Sequence, residues 1–136
     1  MRKMAIMFGL VMVAIFVAGG VALAATITGT DRDETLISTA YADTIKARGG
    51  GDEVRGLGGP DQLYGNGGRD RLVGGYGEDK LYGGNGNDRL RSQDIFSQTG
   101  AYKDVVDCGP GKDFAAMDFR DRVNRDNCEV LAVAIP

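Results

Sequence analysis

Six aspartates recur every nine residues and are the side chains of this sequence that could do chemistry together: Asp43, Asp52, Asp61, Asp70, Asp79 and Asp88. Regularly spaced carboxylates can act as paired general acids and bases, or they can bind a hard cation. The sequence contains no histidine, which excludes imidazole catalysis and histidine-ligated metals. A catalytic pocket needs further convergent polar groups, and the only candidates are these same carboxylates. Cation binding is therefore the leading interpretation.

An apolar residue follows each of these aspartates by two positions: Ile45, Val54, Leu63, Leu72, Leu81 and Leu90. Glu34 and Leu36 extend the frame by one unit, so seven consecutive units keep one register without an insertion. Such internal repeats are typical of solenoids. Glycines at fixed offsets supply the positive-φ positions of a tight turn, while the apolar residue lies at the centre of a short strand and points inward.

One strand cannot close a coil, so we expect two units to make one circuit and residues 18 apart to stack at about 4.8 Å. Two columns of apolar side chains then face each other: Leu36, Val54, Leu72 and Leu90 in one, and Ile45, Leu63 and Leu81 in the other. On the outer faces, Tyr64 should stack on Tyr82, and Glu53 should lie beside Arg71. The apolar core is thin, so another interaction must stabilise the coil.

The same stacking predicts two columns of carboxylates, with Asp52, Asp70 and Asp88 along one edge and Asp43, Asp61 and Asp79 along the other. A cation between neighbours removes their repulsion, and a carboxylate spacing near 5 Å suits an ion that takes each oxygen at about 2.3 to 2.6 Å. Carboxylates and backbone carbonyls, with no cysteine in these turns, select a hard ion. An irregular, carbonyl-rich cage favours Ca²⁺ over octahedral Mg²⁺.

The clearest units are Gly74-Gly-Tyr-Gly-Glu-Asp79-Lys-Leu81 and Gly83-Gly-Asn-Gly-Asn-Asp88-Arg-Leu90. They resemble the G-G-x-G-x-D-x-U-x nonapeptide of the RTX (hemolysin-type) calcium-binding repeats. The resemblance covers residues 34–91 and implies an all-β fold, a parallel β-roll that is a right-handed β-solenoid. It also implies that aspartates and turn carbonyls of successive coils bind one Ca²⁺ at each edge. The implied ligands are Asp52, Asp61, Asp70, Asp79 and Asp88, with the glycines Gly56, Gly65, Gly74 and Gly83.

The implied complete pairs are Asp52 with Asp70, Asp70 with Asp88, and Asp61 with Asp79. Glu34 and Asp43 are further candidates, but their units lack most of the glycines, so turns without metal remain open there. Residues 25–48 are accordingly predicted to be degenerate capping repeats, and residues 49–91 to be the calcium-binding roll. Residues 92–103 are predicted to form a polar loop insert. Residues 104–136 are predicted to hold diverged repeats and a cap, whose aspartates favour turns over metal.

Residues 1–24 are typical of a secretory signal peptide, with Arg2-Lys3, a long uncharged run, and the small residues Ala22 and Ala24 before Ala25. The run is also long enough to be an uncleaved membrane anchor. With cleavage, we expect a secreted, extracellular bacterial protein that no longer contacts the membrane. Cys108 and Cys128 are the only cysteines. Their even number in an exported chain favours a disulfide over a redox or metal pair, and closing this loop would stabilise the cap by roughly 3 kcal/mol.

The net charge of −3 argues against a nucleic-acid partner. The sequence therefore predicts a secreted calcium-binding β-roll that folds on calcium binding and has no catalytic activity of its own. A calcium-stabilised adhesion module of a cell surface or matrix is the alternative function. A polysaccharide-acting enzyme is a third class.

Overall fold

The computed structural model describes residues 24–92, 102–124 and 127–134. The regular elements in these ranges are all β-strands. None of the described segments is a helix long and apolar enough to cross a membrane. The signal peptide predicted over residues 1–24 and the insert predicted over residues 92–103 lie almost entirely outside the described residues.

The described chain forms twelve strands, most of them three residues long. They are β1 Thr26–Thr28, β2 Thr35–Ile37, β3 Thr44–Lys46, β4 Glu53–Arg55, β5 Gln62–Gly67, β6 Arg71–Val73, β7 Lys80–Asn85, β8 Arg89–Arg91, β9 Val105–Asp107, β10 Phe114–Asp118, β11 Arg122–Val123 and β12 Glu129–Ala134. The short strands follow from the repeat, because the glycine-rich turn occupies the other residues of each nonapeptide.

Successive strands alternate between two parallel sheets. The odd-numbered strands form one sheet in the order β1-β3-β5-β7-β9-β11, and the even-numbered strands form the other in the order β12-β10-β8-β6-β4-β2. We call them the odd sheet and the even sheet. Two strands complete one coil, so the fold is a parallel β-solenoid of about five turns, as the repeat predicts.

Residues 18 apart pair across neighbouring coils, which confirms the predicted register. Tyr64 stacks on Tyr82 with ring centroids 4.9 Å apart and planes 9° apart. Glu53 pairs with Arg71 in the sheet, but its carboxylate accepts a 2.6 Å ion-pair hydrogen bond from Arg55 of its own strand. Strand pairs that span residues 92–103 are 25 residues apart, and the strand order continues unchanged on both sides.

The core is a double column of apolar side chains between the two sheets. Each three-residue strand buries its central residue and exposes at least part of its neighbours, which is the alternation expected of a pleated strand. The column extends beyond the seven predicted residues, since Ile27, Val106 and Ala115 join it and are 4% exposed or less. Cys108 is fully buried at the end of this core. It forms the predicted disulfide with Cys128, with their Cα atoms 5.4 Å apart.

The two edges of the solenoid differ in polarity. The turns that lead from the even sheet to the odd sheet carry five exposed large apolar side chains: Tyr41, Leu57, Tyr76, Tyr102 and Phe119. We call this the apolar edge. The opposite turns, which lead from the odd sheet to the even sheet, contain none of the exposed large apolar residues within the described ranges. We call them the polar edge.

Candidate metal centre

Each repeat aspartate lies at the end of a turn, directly before a strand. Asp61 and Asp79 precede strands of the odd sheet, so they lie at the apolar edge, whereas Asp52, Asp70 and Asp88 lie at the polar edge. All five are 2% exposed or less. The tight turn before them needs glycine, since Gly68, Gly77 and Gly86 have φ angles of 121°, 127° and 124°. The glycine-rich sequence thus brings a carboxylate into the interior at every half coil.

Hydrogen bonds run along each carboxylate column from one coil to the next. The backbone N–H of Asp52 donates to Oδ1 of Asp70 at 2.9 Å, and that of Asp70 donates to Oδ1 of Asp88 at 2.8 Å. At the apolar edge, the N–H of Asp61 donates to Oδ1 of Asp79 at 2.9 Å. The predicted pairs are therefore brought together, with one oxygen of each later carboxylate already bonded to the earlier coil.

The second carboxylate oxygen is the unusual atom of this arrangement. Oδ2 is buried and has no hydrogen-bond donor in Asp52, Asp61, Asp70 and Asp88. A buried, unsatisfied polar atom costs about 1 to 3 kcal/mol, and a buried unpaired charge costs more. The cost recurs at both edges, so a ligand that satisfies these oxygens would stabilise the whole solenoid.

The repeat glycines leave open the space that these oxygens face. A Cβ atom added to Gly65 would lie 2.5 Å from Oδ2 of Asp70 and 2.5 Å from the carbonyl oxygen of Gly83 in the next coil. A Cβ atom on Gly56 would meet Asp61 and the carbonyl of Gly74 in the same way. Two acceptor oxygens thus face one small space, and two acceptors cannot satisfy each other. A cation or a proton between them can.

This donor set fits Ca²⁺. Within the described ranges, no three carboxylate or cysteine side chains lie close enough to hold a metal together. Backbone carbonyls, such as those of Gly74 and Gly83, would therefore complete the ligand set. Calcium accepts such mixed oxygen ligands in irregular geometry, whereas Mg²⁺ requires a near-ideal octahedron.

The same burial makes these carboxylates hard to ionise without a cation. Burial raises the pKa of Asp61 to about 7, and the charges of Asp79 and Asp43 add to the shift. Burial likewise raises the pKa of Asp52 to about 6 and that of Asp88 to about 7, with the charge of Asp70 contributing to both. The columns therefore repel at neutral pH unless positive charge lies between them.

A family model of the RTX calcium-binding nonapeptide repeat, in four copies, matches residues 28–63 and 64–93. The matched residues contain all the carboxylate pairs described so far. The repeat region of this chain belongs to the RTX calcium-binding nonapeptide repeat family. No curated protein matches the chain.

The first RTX units satisfy their carboxylates without an ion. Burial alone would raise the pKa of Asp43, but the side-chain and backbone hydrogen bonds of Thr39, with that from Ala25, lower it below its usual value. The Thr39 hydroxyl and N–H donate to Oδ2 of Asp43 at 2.6 and 2.7 Å. Ser38 stands where the later units have glycine, and its hydroxyl donates to the carbonyl of Gly56. Hydroxyl groups thus take the place that a cation would occupy.

Glu34 is satisfied in a similar way, because the N–H and hydroxyl of Thr30 donate to its two carboxylate oxygens, each at 2.7 Å. The hydrogen bonds to Glu34 and Asp43 therefore favour turns without metal in residues 25–48. This was the possibility left open by the missing glycines.

The carboxylate columns continue beyond the matched RTX units. The N–H of Asp79 donates to Oδ1 of Asp104 at 2.8 Å, and that of Asp88 donates to Oδ1 of Asp113 at 2.6 Å. The sequence predicts diverged repeats here, with a nine-residue step from Asp104 to Asp113, but it favours turns over metal for both aspartates. The motif Cys108-Gly-Pro-Gly-Lys-Asp113 keeps two repeat glycines and is the sequence signal for the turn before Asp113. Asp121 fits the turn assignment, since the Ser92 hydroxyl donates to its Oδ2 at 2.7 Å.

Proposed function

We propose that this protein is a secreted calcium-binding β-roll that folds when Ca²⁺ binds and has no catalytic activity of its own. The observation that carries the proposal is the set of buried Oδ2 atoms without donors. Those of Asp61 and Asp70 each face a carbonyl of the next coil. Calcium binding by RTX repeats supports the choice of ion. Secretion rests on the predicted signal peptide.

Asp70 and Asp88 with the carbonyl of Gly83 would hold an ion at the polar edge, and Asp61 and Asp79 with the carbonyl of Gly74 would hold one at the apolar edge. Asp52 and Asp70 would hold a further ion. Each ion has about two carboxylates, which points to a dissociation constant of roughly 10⁻⁴ to 10⁻³ M. Neighbouring sites share Asp70, so binding at one site orders half of the next, and binding should be cooperative.

Without calcium, the carboxylate columns repel and a single apolar residue per strand cannot offset the entropy of a glycine-rich chain. The test is a calcium titration followed by far-ultraviolet circular dichroism. We expect little β signal in excess chelator and a steep rise as calcium enters the millimolar range. An equal β signal in both conditions would show that the ion is an accessory.

A calcium-stabilised interaction module is the second candidate function, and the apolar edge favours it. Exposed apolar patches bordered by polar residues are typical of interaction sites, and each of five successive turns contributes one large apolar side chain there. A screen for polysaccharide binding and cleavage, with and without calcium, separates the candidates. Binding without cleavage supports the interaction module, and cleavage supports the enzyme class. If the protein neither binds nor cleaves polysaccharide, calcium binding remains as its function.

A further inference from the structure

The turn at residues 108–113 copies the backbone of an RTX turn, although it lies outside the matched residues. Gly109 and Gly111 have φ angles of 82° and 155°, and they lie against Gly84 and Gly86, whose φ angles are 94° and 124°. The N–H of Gly84 donates to the carbonyl of Cys108 at 3.1 Å. The turn shape that surrounds the proposed ions is therefore present once more beyond residue 93.

The carboxylates at this turn are placed as they are in the repeats. Asp113 is 2% exposed, and the Oδ2 atoms of Asp113 and Asp88 are both buried without a hydrogen-bond donor. A Cβ atom on Gly83 would lie 2.7 Å from Oδ2 of Asp88 and also against the carbonyl oxygen of Cys108. Cys108 thus presents its carbonyl to Asp88 as Gly83 presents its own to Asp70 one coil earlier.

We propose that Asp88, Asp113 and the carbonyl of Cys108 form an additional Ca²⁺ site, and that the Cys108–Cys128 disulfide holds this carbonyl in place. The site rests on the proposed function, to which it adds a location and a dependence on a covalent bond. Its ligands are the same hard oxygens, so Ca²⁺ is the expected ion.

The role of the disulfide follows from the position of Cys108. This residue replaces the glycine that lies five positions before the aspartate in the repeats, and its side chain is fully buried. The disulfide joins it to the final segment. On the surface of the same turn, Gly109 N–H and Asn127 Nδ2 donate to Oδ1 of Asp107 at 3.2 and 3.0 Å. Loss of the disulfide removes a covalent restraint on a residue that supplies a ligand. Loss of the outer hydrogen-bond partners of metal ligands typically weakens metal binding by 10- to 100-fold, and we expect an effect of that order when this covalent restraint is removed.

The first test counts bound calcium by isothermal titration calorimetry in the wild-type protein and in Asp113→Asn. Asparagine keeps an acceptor for the Asp88 N–H but removes the charge, so we expect one ion fewer per chain. Asp107→Asn is the matched control, because it removes one charge from the same turn at a carboxylate that already has donors. An unchanged ion count in Asp113→Asn would overturn the site.

The second test compares the wild-type protein with the double variant Cys108→Ala/Cys128→Ala, with circular dichroism in calcium as the check on folding. We expect the ion at Asp88 and Asp113 to bind on the order of tenfold more weakly. The ion at Asp61 and Asp79 shares no carboxylate with this site and should keep its affinity. Unchanged affinity at every site would overturn the role of the disulfide. The two variants are independent, so the failure of one to fold leaves the other test intact. If the wild-type protein binds no calcium, the proposed function has failed, and not this inference alone.

Discussion

Asp70 is the repeat carboxylate at which one substitution should remove two ions. It lies between Asp52 and Asp88 in the polar-edge column, and hydrogen bonds link it to both. Asp70→Asn keeps the oxygen that accepts the Asp52 N–H, so the coil-to-coil bond survives while the charge is lost. Asp52→Asn is the matched control: it is equally buried, but it belongs to one complete pair, because Glu34 below it already bonds to Thr30.

The expected magnitudes follow from binding linkage. At about 10 mM calcium, roughly a hundredfold above a dissociation constant of 10⁻⁴ M, each bound ion stabilises the folded state by about 2.7 kcal/mol. Asp70→Asn should then lose about 5 kcal/mol and Asp52→Asn about half of that. For a domain of this size, each kcal/mol shifts Tm by roughly 2 to 8 °C. The drop in Tm for Asp70→Asn should therefore be about twice that for Asp52→Asn.

Calorimetry and thermal unfolding test this together. We expect the ion count to fall by two in Asp70→Asn and by one in Asp52→Asn. In excess chelator, Asp70→Asn should be no less folded than the wild type, because it also removes a repelling charge next to Asp52. Equal losses of ions and of Tm in the two variants would refute the shared-ligand arrangement. A lower β signal of Asp70→Asn in chelator would mean that the substitution damages the coil itself.

Three further predictions concern pH, turn geometry and processing. The pKa values of Asp52 and Asp61 are raised to about 6 and 7, so these carboxyls bind protons more tightly in the folded state. Their protonation therefore contributes fully to the stability of the fold below pH 3.8, and this contribution is lost as pH rises through 6 to 7. In excess chelator the β signal should therefore grow on acidification from pH 8 to 4, and a decrease would contradict this. Gly68→Ala should abolish calcium-induced β structure, because the φ of Gly68 is 121° and a Cβ atom there would collide with Gly50. Gly67→Ala is the control and should fold, because its Cβ atom would make only an ordinary contact of 3.6 Å. Circular dichroism in calcium compares the two variants. Mass spectrometry of the exported protein should find a chain that begins at Ala25, and an intact Met1 would defeat the signal-peptide assignment.

The register of the fold could be predicted because one apolar residue per nonapeptide leaves a single way to fill the interior. A one-residue slip would turn every core side chain outward. Residues 25–48 are predicted to be capping repeats, but the place of Ile27 in the core is not, because Ala25, and not an acidic residue, precedes Thr26-Ile27-Thr28. Ile27 is nevertheless buried, since β1 pairs with β3 in the 18-residue register.

The detailed role of each carboxylate could not be predicted, because it depends on contacts between coils. The sequence shows that Asp43 lacks the repeat glycines, but only the stacking of coils shows that the Ser38 hydroxyl reaches the carbonyl of Gly56. The sequence likewise separates Asp88 from Asp113 by 25 residues, and only the pairing of β8 with β10 brings them within hydrogen-bond distance.

The hydrogen bonds at Asp43 and Asp121 would confine the need for a cation at the apolar edge to its central coils. Both aspartates lie in the apolar-edge column, near its two ends, and each accepts donors from serine or threonine side chains or from nearby backbone N–H groups. Between them, Asp61 has a buried oxygen without a donor. The Thr39 hydroxyl satisfies the carboxylate of its own turn, whereas a cation shared by two coils would couple the folding of both. We therefore expect calcium to order the central coils as one cooperative unit, with the hydroxyl-bonded turns marking where that unit ends.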